Sequence, residues 1–575
     1  MVGVRSSEGH SGRRRRARRV FLVAGSVVFL AAAAGVAFAV VRGASVAGDA
    51  GPNPRTPVRA FATAWAAGDF RTMYQQLTPS ARRHTPFTAF QAAYQTDAST
   101  GTLRKVSVKG PLRVVAGEAT IPVVLRTRLF GRLHELLTLH LVRGSSRYQI
   151  SWGAQLAWPG LLPGETLART ARAPKTRGKI LADDRTVLAQ GFGANRKYPQ
   201  GTPFYYLTGF LRAPQTAEDR RRRVAQGWPA GSLYGQGGLE ESLDKILGGM
   251  PSIHLVAQSS TGDRVLGRHA GRHPRNVVTT LDPGLQSAAT DALAGRYGGI
   301  VIMDPRDGAI RAAAGIAMDA RQPPGSTFKM VTASAALTAG VVTPETYYTP
   351  AHYVDIGGFR LRNFHHELCG GTLVESFANS CNSVFAPVAI KTGGKQLVAT
   401  ADKYGFNAKP TTDYPVVHSL TPSADELKNI VDLGVAGIGQ GGVAATPLQM
   451  ASVGQAIADG GVMRSPWLVR RPRSSTDRTH KQRVISRRVA ADVGEMMRAV
   501  VAYGTGTLAA SPLATVNGKT GTAELGPGIK TDAWFVGYAP AEAPRVVVSV
   551  LIVHGGVGGQ TAAPIARDMI DAALG

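Results

Sequence analysis

The hydrophobic pattern begins with an unbroken apolar run near the N-terminus. Residues 20–41 carry no charged side chain, and seven arginines lie within the first 19 residues. As a helix this run is about 33 Å long, enough to cross the apolar core of a bilayer. The positive-inside rule then predicts a cytoplasmic tail over residues 1–19, a single-pass plasma-membrane anchor over 20–41 and an extracytoplasmic remainder. A cleaved signal peptide is the alternative, because Ala37-Phe38-Ala39 resembles a cleavage site, but the apolar run is longer than a usual signal core.

The next stretch, residues 54–155, is predicted to be a small α+β domain. It follows a Gly/Pro-rich linker, and its apolar residues recur at helical spacing over residues 58–77. They alternate over residues 137–141, as they do in a strand, and a polar turn then leads into a second strand over residues 148–152.

The hydrophobic pattern differs again over the rest of the chain. Residues 162–275 show no clean periodicity; they contain the segments RGKIL and GGLEESLD and, between these, the run Arg220–Arg223, which is interpreted as a solvated surface. Residues 277–575 show helix and strand patterns of the α/β kind, separated by clear turn signals. Its predicted elements are strands over residues 299–303, 533–538 and 546–553 and a final helix over residues 563–574.

Composition limits the classes of function. A chain of 575 residues is too long for one core, so three or four domains are expected. The net charge of +28 suits anionic partners such as lipid headgroups, wall polymers or nucleic acid. Nucleic acid is disfavoured, because the N-terminal arginines adjoin a predicted membrane span. Two cysteines, Cys369 and Cys381, exclude a disulfide framework, and two unlinked thiols are favoured over one bridge.

Lysine is scarce, with 15 residues against 51 arginines, so the position of each lysine is informative. The pattern S-x-x-K occurs twice, and the copy at Ser242 and Lys245 is interpreted as an ordinary surface helix. The copy at Ser326 and Lys329 follows Pro-Pro-Gly and precedes a helical pattern, which places the serine at the first turn of a helix. A desolvated lysine can lose its proton, so Lys329 is a candidate base for the nucleophile Ser326 and is expected to point back toward it.

A second motif, S-x-N, follows at Ser380 and Asn382. Its hydroxyl can relay a proton and its amide can hold a peptide group, so both residues are candidates for a catalytic cleft. The alternative is a helix start capped by serine or asparagine.

A third motif is formed by Lys519, Thr520, Gly521 and Thr522, just before a predicted strand. The lysine supplies positive charge, the threonine hydroxyls can bind a carboxylate, and the glycine leaves room for a substrate backbone. Lys519 is therefore a candidate catalytic residue and the other three are candidates for substrate binding. The same tripeptide at residues 391–393 is interpreted as a helix end capped by glycine.

In this order, the three motifs resemble the signature of penicillin-binding proteins and serine β-lactamases. The resemblance covers residues 277–575, and the segment 437–451 is also similar to that family's transpeptidase domain. Residues 162–275 resemble the dimerisation or pedestal domain of class B penicillin-binding proteins, and residues 54–155 resemble the N-terminal domain of the methicillin-resistance type. No stretch resembles a glycosyltransferase domain, so a bifunctional class A enzyme is disfavoured.

The resemblance implies a multidomain α+β fold. Its parts are a single N-terminal transmembrane helix, an elongated pedestal of two small α+β domains, and a transpeptidase domain with an antiparallel sheet flanked by helices. It also implies a D,D-transpeptidase that cross-links peptidoglycan stem peptides through an acyl-enzyme on Ser326, the serine that β-lactams acylate. Lipid-linked precursor and a wall-synthesis complex with a glycosyltransferase are implied partners.

The resemblance also implies a role for each motif residue. Lys329 is the base, Ser380 relays a proton to the leaving amine, and Asn382 holds the substrate amide. Lys519 and Thr520 orient the terminal carboxylate. No metal or cofactor is required, and the run His365-His366-Glu367 is interpreted as a loop beside the cleft rather than a metal site.

Three alternatives stay open on the same scaffold. They are a D,D-carboxypeptidase, a β-lactam-hydrolysing enzyme, and a β-lactam sensor or non-catalytic scaffold in a wall-building complex. Two non-catalytic domains and an anchor disfavour the β-lactamase, because hydrolysis of an antibiotic needs neither. A sensor normally has a cytoplasmic output domain, and only 19 residues precede the predicted span.

Overall fold

A computed structural model of the protein describes residues 52–410, 412–470 and 480–575. The predicted cytoplasmic tail and membrane anchor, residues 1–41, lie outside the described residues. Within these ranges, no helix is both long enough and apolar enough to span a bilayer.

Four helices followed by five strands form the first unit. The helices are α1 (Arg55–Ala67), α2 (Phe70–Gln75), α3 (Pro79–His84) and α4 (Phe87–Thr100). The strands are β1 (Leu103–Val108), β2 (Arg113–Val115), β3 (Glu118–Thr127), β4 (Arg132–Arg143) and β5 (Tyr148–Ser151). The sheet is antiparallel in the order β1-β3-β4-β5, with β2 also beside β3. Alternate residues of β3 are buried, so one face of the sheet packs on helices and the other faces solvent. The predicted hairpin is confirmed, since β4 pairs with β5.

Three small sheets and four short helices follow. The strands are β6 (Thr166–Arg172), β7 (Ile180–Leu181), β8 (Val187–Ala189), β9 (Phe210–Arg212), β10 (Tyr234–Gln236), β11 (Ser252–Ser259), β12 (Gly262–His269) and β13 (Val277–Val278). The helices are α5 (Thr202–Thr208), α6 (Ala217–Ala225), α7 (Gly238–Ser242) and α8 (Asp244–Leu247). Strand β11 lies between β6 and β12, and Ile253, Leu255 and Ala257 of β11 belong to the same hydrophobic core as the first unit.

A buried ion cluster joins the RGKIL and GGLEESLD segments. The carboxylate of Glu240 lies 2.6 Å from guanidinium nitrogens of both Arg177 and Arg196. A carboxylate oxygen of Asp244 lies 2.9 Å from a guanidinium nitrogen of Arg177. Removing one member of such a cluster leaves an uncompensated buried charge, so the two segments are strongly constrained to stay together.

Part of the run Arg220–Arg223 also reaches this cluster. The prediction of a solvated run is wrong for Arg223, which is 4% exposed. Its guanidinium lies 3.2 Å from Asp244 and stacks 4.5 Å from the ring of Trp228. The reason is that α6 turns one side toward the cluster, whereas the other three arginines of the run are exposed.

The C-terminal unit contains the largest hydrophobic core. Its strands are β14 (Gly298–Met303), β15 (Ile310–Gly315), β16 (Tyr347–Ala351), β17 (Tyr353–Ile356), β18 (Phe359–Arg362), β19 (Cys369–Thr372), β20 (Val462–Arg464), β21 (Lys481–Arg483), β22 (Asn517–Ala523), β23 (Asp532–Ala539) and β24 (Val546–Ile552). Its helices are α9 (Pro283–Leu293), α10 (Lys329–Thr338), α11 (Leu373–Ala378), α12 (Asn382–Thr392), α13 (Gly394–Lys403), α14 (Ile430–Gly437), α15 (Pro447–Ala458), α16 (Arg487–Ala502) and α17 (Gly558–Leu574).

A five-stranded antiparallel sheet in the order β15-β14-β24-β23-β22 lies between two layers of helices. Ile300 and Ile302 of β14 share a core with α9 and α17, whereas Val301 and Met303 belong to the core of α10, α15 and α16. Because both faces of the sheet are covered, the residues of β14, β23 and β24 are buried, and most of them are apolar. The antiparallel sheet flanked by helices is thus confirmed.

The predicted final helix begins too late. It was expected over residues 563–574, and α17 starts at Gly558. Glycine is a poor helix former, which hides the start of the helix in the sequence. A side chain would not fit at this position, because a Cβ at Gly558 would lie 2.5 Å from the carbonyl oxygen of Trp534.

Candidate active site

Ser326 lies on a 3₁₀ turn that leads directly into α10. The turn spans Gly325–Phe328, and α10 begins at Lys329. Gly325 has a φ of 51°, a conformation that favours glycine, and a Cβ there would lie 3.1 Å from Cα of Ala523. The glycine therefore lets the turn pack against β22, which places Ser326 beside the strand that carries the third motif.

Lys329 is fully buried, and its amine is hydrogen-bonded to both residues of the second motif, Ser380 and Asn382. Its Nζ donates to the carbonyl oxygen of Ser380 at 2.6 Å and to Oδ1 of Asn382 at 2.8 Å, and it lies 3.3 Å from Oγ of Ser380. Burial, and then the charge of Lys519, holds the pKa of Lys329 well below its ordinary value. A neutral amine has two N–H groups and one lone pair. The two carbonyl oxygens accept both N–H groups, so the lone pair is left for a hydroxyl proton.

The predicted orientation of Lys329 is met only in part. Its hydrogen bonds in the described chain go to Ser380 and Asn382, and none of them joins it to Ser326. Catalytic hydrogen bonds are often long in a site without substrate and tighten in the complex. The amine of Lys329 is thus fixed by the second motif, and its predicted role as the base for Ser326 stays a prediction.

Ser380 connects the two buried lysines. Its Oγ lies 2.9 Å from Nζ of Lys519 and 3.3 Å from Nζ of Lys329. Ser380 also has a φ of 62°, which a residue with a side chain adopts only when its surroundings enforce it. Asn382 begins α12, and its Nδ2 donates to the backbone carbonyl of Arg362 at 3.1 Å. The S-x-N motif thus joins both lysines to the β17–β18 hairpin.

The residue between Ser380 and Asn382 is covalently fixed. Cys381 forms a disulfide with Cys369, with Cα atoms 5.4 Å apart, so the prediction of two unlinked thiols is wrong. The sequence could not show this, because the bridge depends on β19 returning beside the motif. Asn363 strengthens the same connection: its Nδ2 donates to Oγ of Ser383, and its Oδ1 accepts from the backbone N–H of that residue.

Lys519 is the second buried lysine and lies on β22. Its Nζ donates to the carbonyl oxygen of Thr520 at 3.0 Å in addition to its contact with Ser380. Burial lowers its pKa to about 7. Strand β22 is the last strand of the five-stranded sheet, so no strand of the described residues pairs with its outer edge. Such an edge can pair with an extended peptide through main-chain hydrogen bonds.

The two threonines of the third motif have different surroundings. Oγ1 of Thr520 lies 2.6 Å from Oγ1 of Thr505, and Oγ1 of Thr522 accepts from the backbone N–H of Gly558 at 3.2 Å. Thr505 was missed in the sequence analysis. The available signal was weak, a threonine between two glycines just after a helix.

Gly521 makes room for protein rather than only for substrate. A Cβ at this position would lie 2.8 Å from the carbonyl oxygen of Pro324 and 2.9 Å from Cβ of Trp534. The glycine therefore allows the turn of the first motif to approach β22. Its predicted contact with a substrate backbone stays a prediction.

The three motifs meet at one open cleft of about 960 Å³. Five of the predicted site residues line it, whereas Lys329 and Lys519 are buried and Gly521 faces the first motif. The residues that line it from the motifs are Ser326, Ser380, Asn382, Thr520 and Thr522. The run His365-His366-Glu367 lies on one wall, which confirms the loop beside the cleft. No group of three His, Cys, Asp or Glu in the described part of the chain is arranged to hold a metal ion.

The two rejected motif copies lie away from this cleft. Ser242 and Lys245 are exposed and belong to the short helices α7 and α8. Residues 391–393 form the end of α12, where Gly393 has a φ of 83° as the capping residue. Both interpretations are confirmed.

A cleft-lining serine with two buried lysines, beside an edge strand of the sheet, is typical of serine acyltransferases of the penicillin-binding type. Residues 298–571 match the family described as penicillin binding protein transpeptidase domain. The chain is 32% identical over 406 residues to the peptidoglycan D,D-transpeptidase PbpA of Mycolicibacterium smegmatis, covering 59% of this chain and 80% of the relative. It is 31% identical over 442 residues to PbpA of Mycobacterium tuberculosis, covering 64% and 87%.

Solved structures give the same result. The D,D-transpeptidase domain of a peptidoglycan glycosyltransferase from Eggerthella lenta has 31% identity and a TM-score of 0.58, covering 70% of this chain and 99% of that chain. The penicillin G acyl-enzyme complex of penicillin-binding protein A from M. tuberculosis has 29% identity and a TM-score of 0.57, covering 70% and 100%. The chain belongs to the penicillin-binding proteins, as a monofunctional class B member. The type of its N-terminal domain stays a prediction.

Proposed function

We propose that this protein is a D,D-transpeptidase that cross-links peptidoglycan stem peptides and is acylated by β-lactams at the same site. The observation that carries the proposal is the buried connection from Lys329 through Ser380 to Lys519, directly behind the cleft lined by Ser326. PbpA of M. smegmatis, which is similar over most of its length, is named as a peptidoglycan D,D-transpeptidase.

In the acylation step, Oγ of Ser326 attacks the carbonyl carbon of the penultimate D-Ala. Neutral Lys329 accepts the hydroxyl proton, and backbone N–H groups of Ser326 and Thr522 hold the oxyanion. The C–N bond to the terminal D-Ala then breaks. Ser380 delivers its hydroxyl proton to the departing amine and takes up the proton held by Lys329, because its hydroxyl already lies between the two lysine nitrogens.

Substrate recognition uses the other motif residues. The donor peptide extends along the free edge of β22, and Asn382 holds its amide. The charged form of Lys519 attracts the terminal carboxylate, and the hydroxyls of Thr520 and Thr522 orient it. In the second half-reaction an amine of a neighbouring stem attacks the ester of Ser326, forming the cross-link and restoring the hydroxyl.

We extend the proposal to the segments of the chain that precede the transpeptidase domain. Residues 20–41 anchor the protein in the plasma membrane, with residues 1–19 in the cytoplasm and the cleft outside the cell. Residues 54–155 and 162–275 form a pedestal that carries the transpeptidase domain, residues 277–575. A glycosyltransferase that supplies new glycan from lipid-linked precursor is the expected partner.

The full chain in detergent, given a stem peptide ending in D-Ala-D-Ala and an amine acceptor, tests this function by mass spectrometry. The expected product joins donor and acceptor, with release of one D-Ala. Release of D-Ala with only hydrolysed donor would identify a carboxypeptidase instead. Rapid turnover of penicillin without a stable adduct would identify a β-lactamase.

The low pKa of Lys519 predicts a pH limit on acylation. Only the charged form attracts a carboxylate, so kcat/KM for penicillin is expected to fall as pH rises above about 7. Neutral Lys329 is needed as base, so the rate falls again at low pH where this amine is protonated. The pH profile of acylation by a fluorescent penicillin measures both limbs.

The variant that tests the fall in acylation rate at high pH is Lys519→Arg. Arginine stays charged over the whole range, so the fall above about pH 7 is expected to disappear while the low-pH limb remains. An unchanged fall in the variant would assign the high-pH limb to another group.

A further inference from the structure

The first sheet has an open face on the side away from α1 and α4. Every side chain that β3 and β4 direct to this face is exposed or half-buried, and no described helix or strand covers it. We call it the basic face and define it by Lys105, Arg113, Arg126, Arg132, Val115, Leu136 and Val142. An open sheet face is unremarkable by itself, and its charge pattern is the informative feature.

Three cations lie directly opposite one another across three neighbouring strands of the basic face. Lys105 of β1 pairs with Arg126 of β3, and Arg126 pairs with Arg132 of β4. Side chains paired in this way have Cβ atoms about 5 Å apart, and like charges in such pairs destabilise a sheet. All three are exposed, and none forms an ion pair with an acidic side chain in the described chain. An anionic ligand would remove this repulsion.

Apolar side chains lie on the same face. Val115 is 73% exposed, Leu136 57% and Val142 49%. Register places them on this side, because Val115 is opposite Glu118, Leu136 is opposite Pro122 and Val142 is opposite Gln149. Cations combined with exposed aliphatic side chains suit the interface of an anionic bilayer, where the headgroups are charged and the boundary beneath them is apolar.

The position of this unit in the chain points to the same partner. Ten residues, 42–51, separate the apolar run from the first described residue, which is a reach of at most about 35 Å. Residues 54–155 contain 14 Lys and Arg against 4 Asp and Glu. A basic unit held this close to a membrane experiences a high local concentration of lipid headgroups.

We propose that the basic face docks on anionic phospholipid headgroups of the bilayer in which the chain is anchored. The proposal rests on the proposed anchor, residues 20–41. Docking places the first sheet flat on the membrane and so restricts the orientation of the pedestal and cleft above it. A wall polymer would satisfy the cations, but it gives no role to the aliphatic side chains or the short tether.

A label at Thr138, which also lies on this face, tests the contact. The two native cysteines are joined in the disulfide, so Thr138→Cys in the full chain reacts alone with a fluorescent maleimide. The labelled chain is reconstituted in vesicles of phosphatidylcholine, or of equal parts phosphatidylcholine and phosphatidylglycerol, with a headgroup spin-labelled lipid as quencher. Quenching is expected to be about threefold stronger in the anionic vesicles and to fall with added salt. A label at Asp425→Cys, on the catalytic unit, is expected to be unquenched in both.

Charge reversal locates the site. Changing Lys105, Arg126 and Arg132 to Glu is expected to abolish the extra quenching. The same change at Arg59, Arg83 and Arg220, which are exposed and lie elsewhere, is expected to preserve it. Acylation by fluorescent penicillin reports folding, and retention in vesicles after a carbonate wash reports the anchor separately.

Three results would overturn the proposal. Equal quenching in both kinds of vesicle removes the electrostatic contact. Loss of quenching in the control triple variant assigns the effect to net charge rather than to this face. A change in the fluorescence of the Thr138→Cys label when soluble polyphosphate is added, without any quenching by lipid, assigns the face to a wall polymer.

Discussion

Ser326→Ala is expected to abolish covalent labelling by penicillin. Its hydroxyl lies at the cleft end of the turn that packs against β22, where the other motifs meet. Removing the attacking oxygen of a serine acyl-enzyme typically lowers the rate by about 10⁶-fold, because the base and the proton relay have no reaction left to assist. A fluorescent penicillin followed on a gel, with intact-mass measurement of the adduct, measures the loss.

The chain supplies its own control for this variant. Ser242→Ala changes the serine of the other S-x-x-K copy, which is exposed and distant from the cleft, and is expected to label at the normal rate. Peptide mapping decides the residue that carries the adduct. An adduct on Ser380 in both the parent chain and Ser326→Ala would contradict the assignment of the nucleophile.

The arrangement of the residues within each motif could be predicted from the sequence because each motif is local. Ser326 and Lys329 are one turn apart, Ser380 and Asn382 flank one residue, and the third motif is one strand. The contacts within a helical turn or a strand follow from backbone geometry alone. The order of the three motifs in the chain, rather than any distance, predicted that they share a cleft.

Contacts between distant segments could not be predicted in this way. The Cys369–Cys381 bridge depends on the return of β19, and the bond between Thr505 and Thr520 depends on how the segment after α16 packs beside β22. Burial of Arg223 depends on which side of α6 faces the ion cluster. Each needs the tertiary fold, which no short pattern records. Pairing of Lys105 with Arg126 and Arg132 likewise needs strand register.

Lys329→Arg is expected to lower the acylation rate about 10³–10⁴-fold, which is the upper range for loss of a general base. Arginine fills the position with a cation, but it stays protonated at every accessible pH and has no lone pair to accept a proton. The loss of rate is therefore expected to persist at high pH. A lysine base whose pKa had merely been raised would instead become neutral there and recover its activity. The measurement is the acylation rate from pH 5 to 10, beside thermal unfolding as the test of folding.

A second variant separates chemistry from electrostatics at this position. Lys329→Met removes the base without placing a permanent cation beside Lys519, whose charge helps to lower the pKa of Lys329. If the lysine acted only by attracting the substrate carboxylate, Lys329→Arg would keep its activity and Lys329→Met would lose it. Loss in both variants, with penicillin still bound reversibly, is expected for a base. Near-normal acylation by a folded Lys329→Arg protein would contradict the mechanism, because a permanently charged guanidinium cannot take the proton of Ser326.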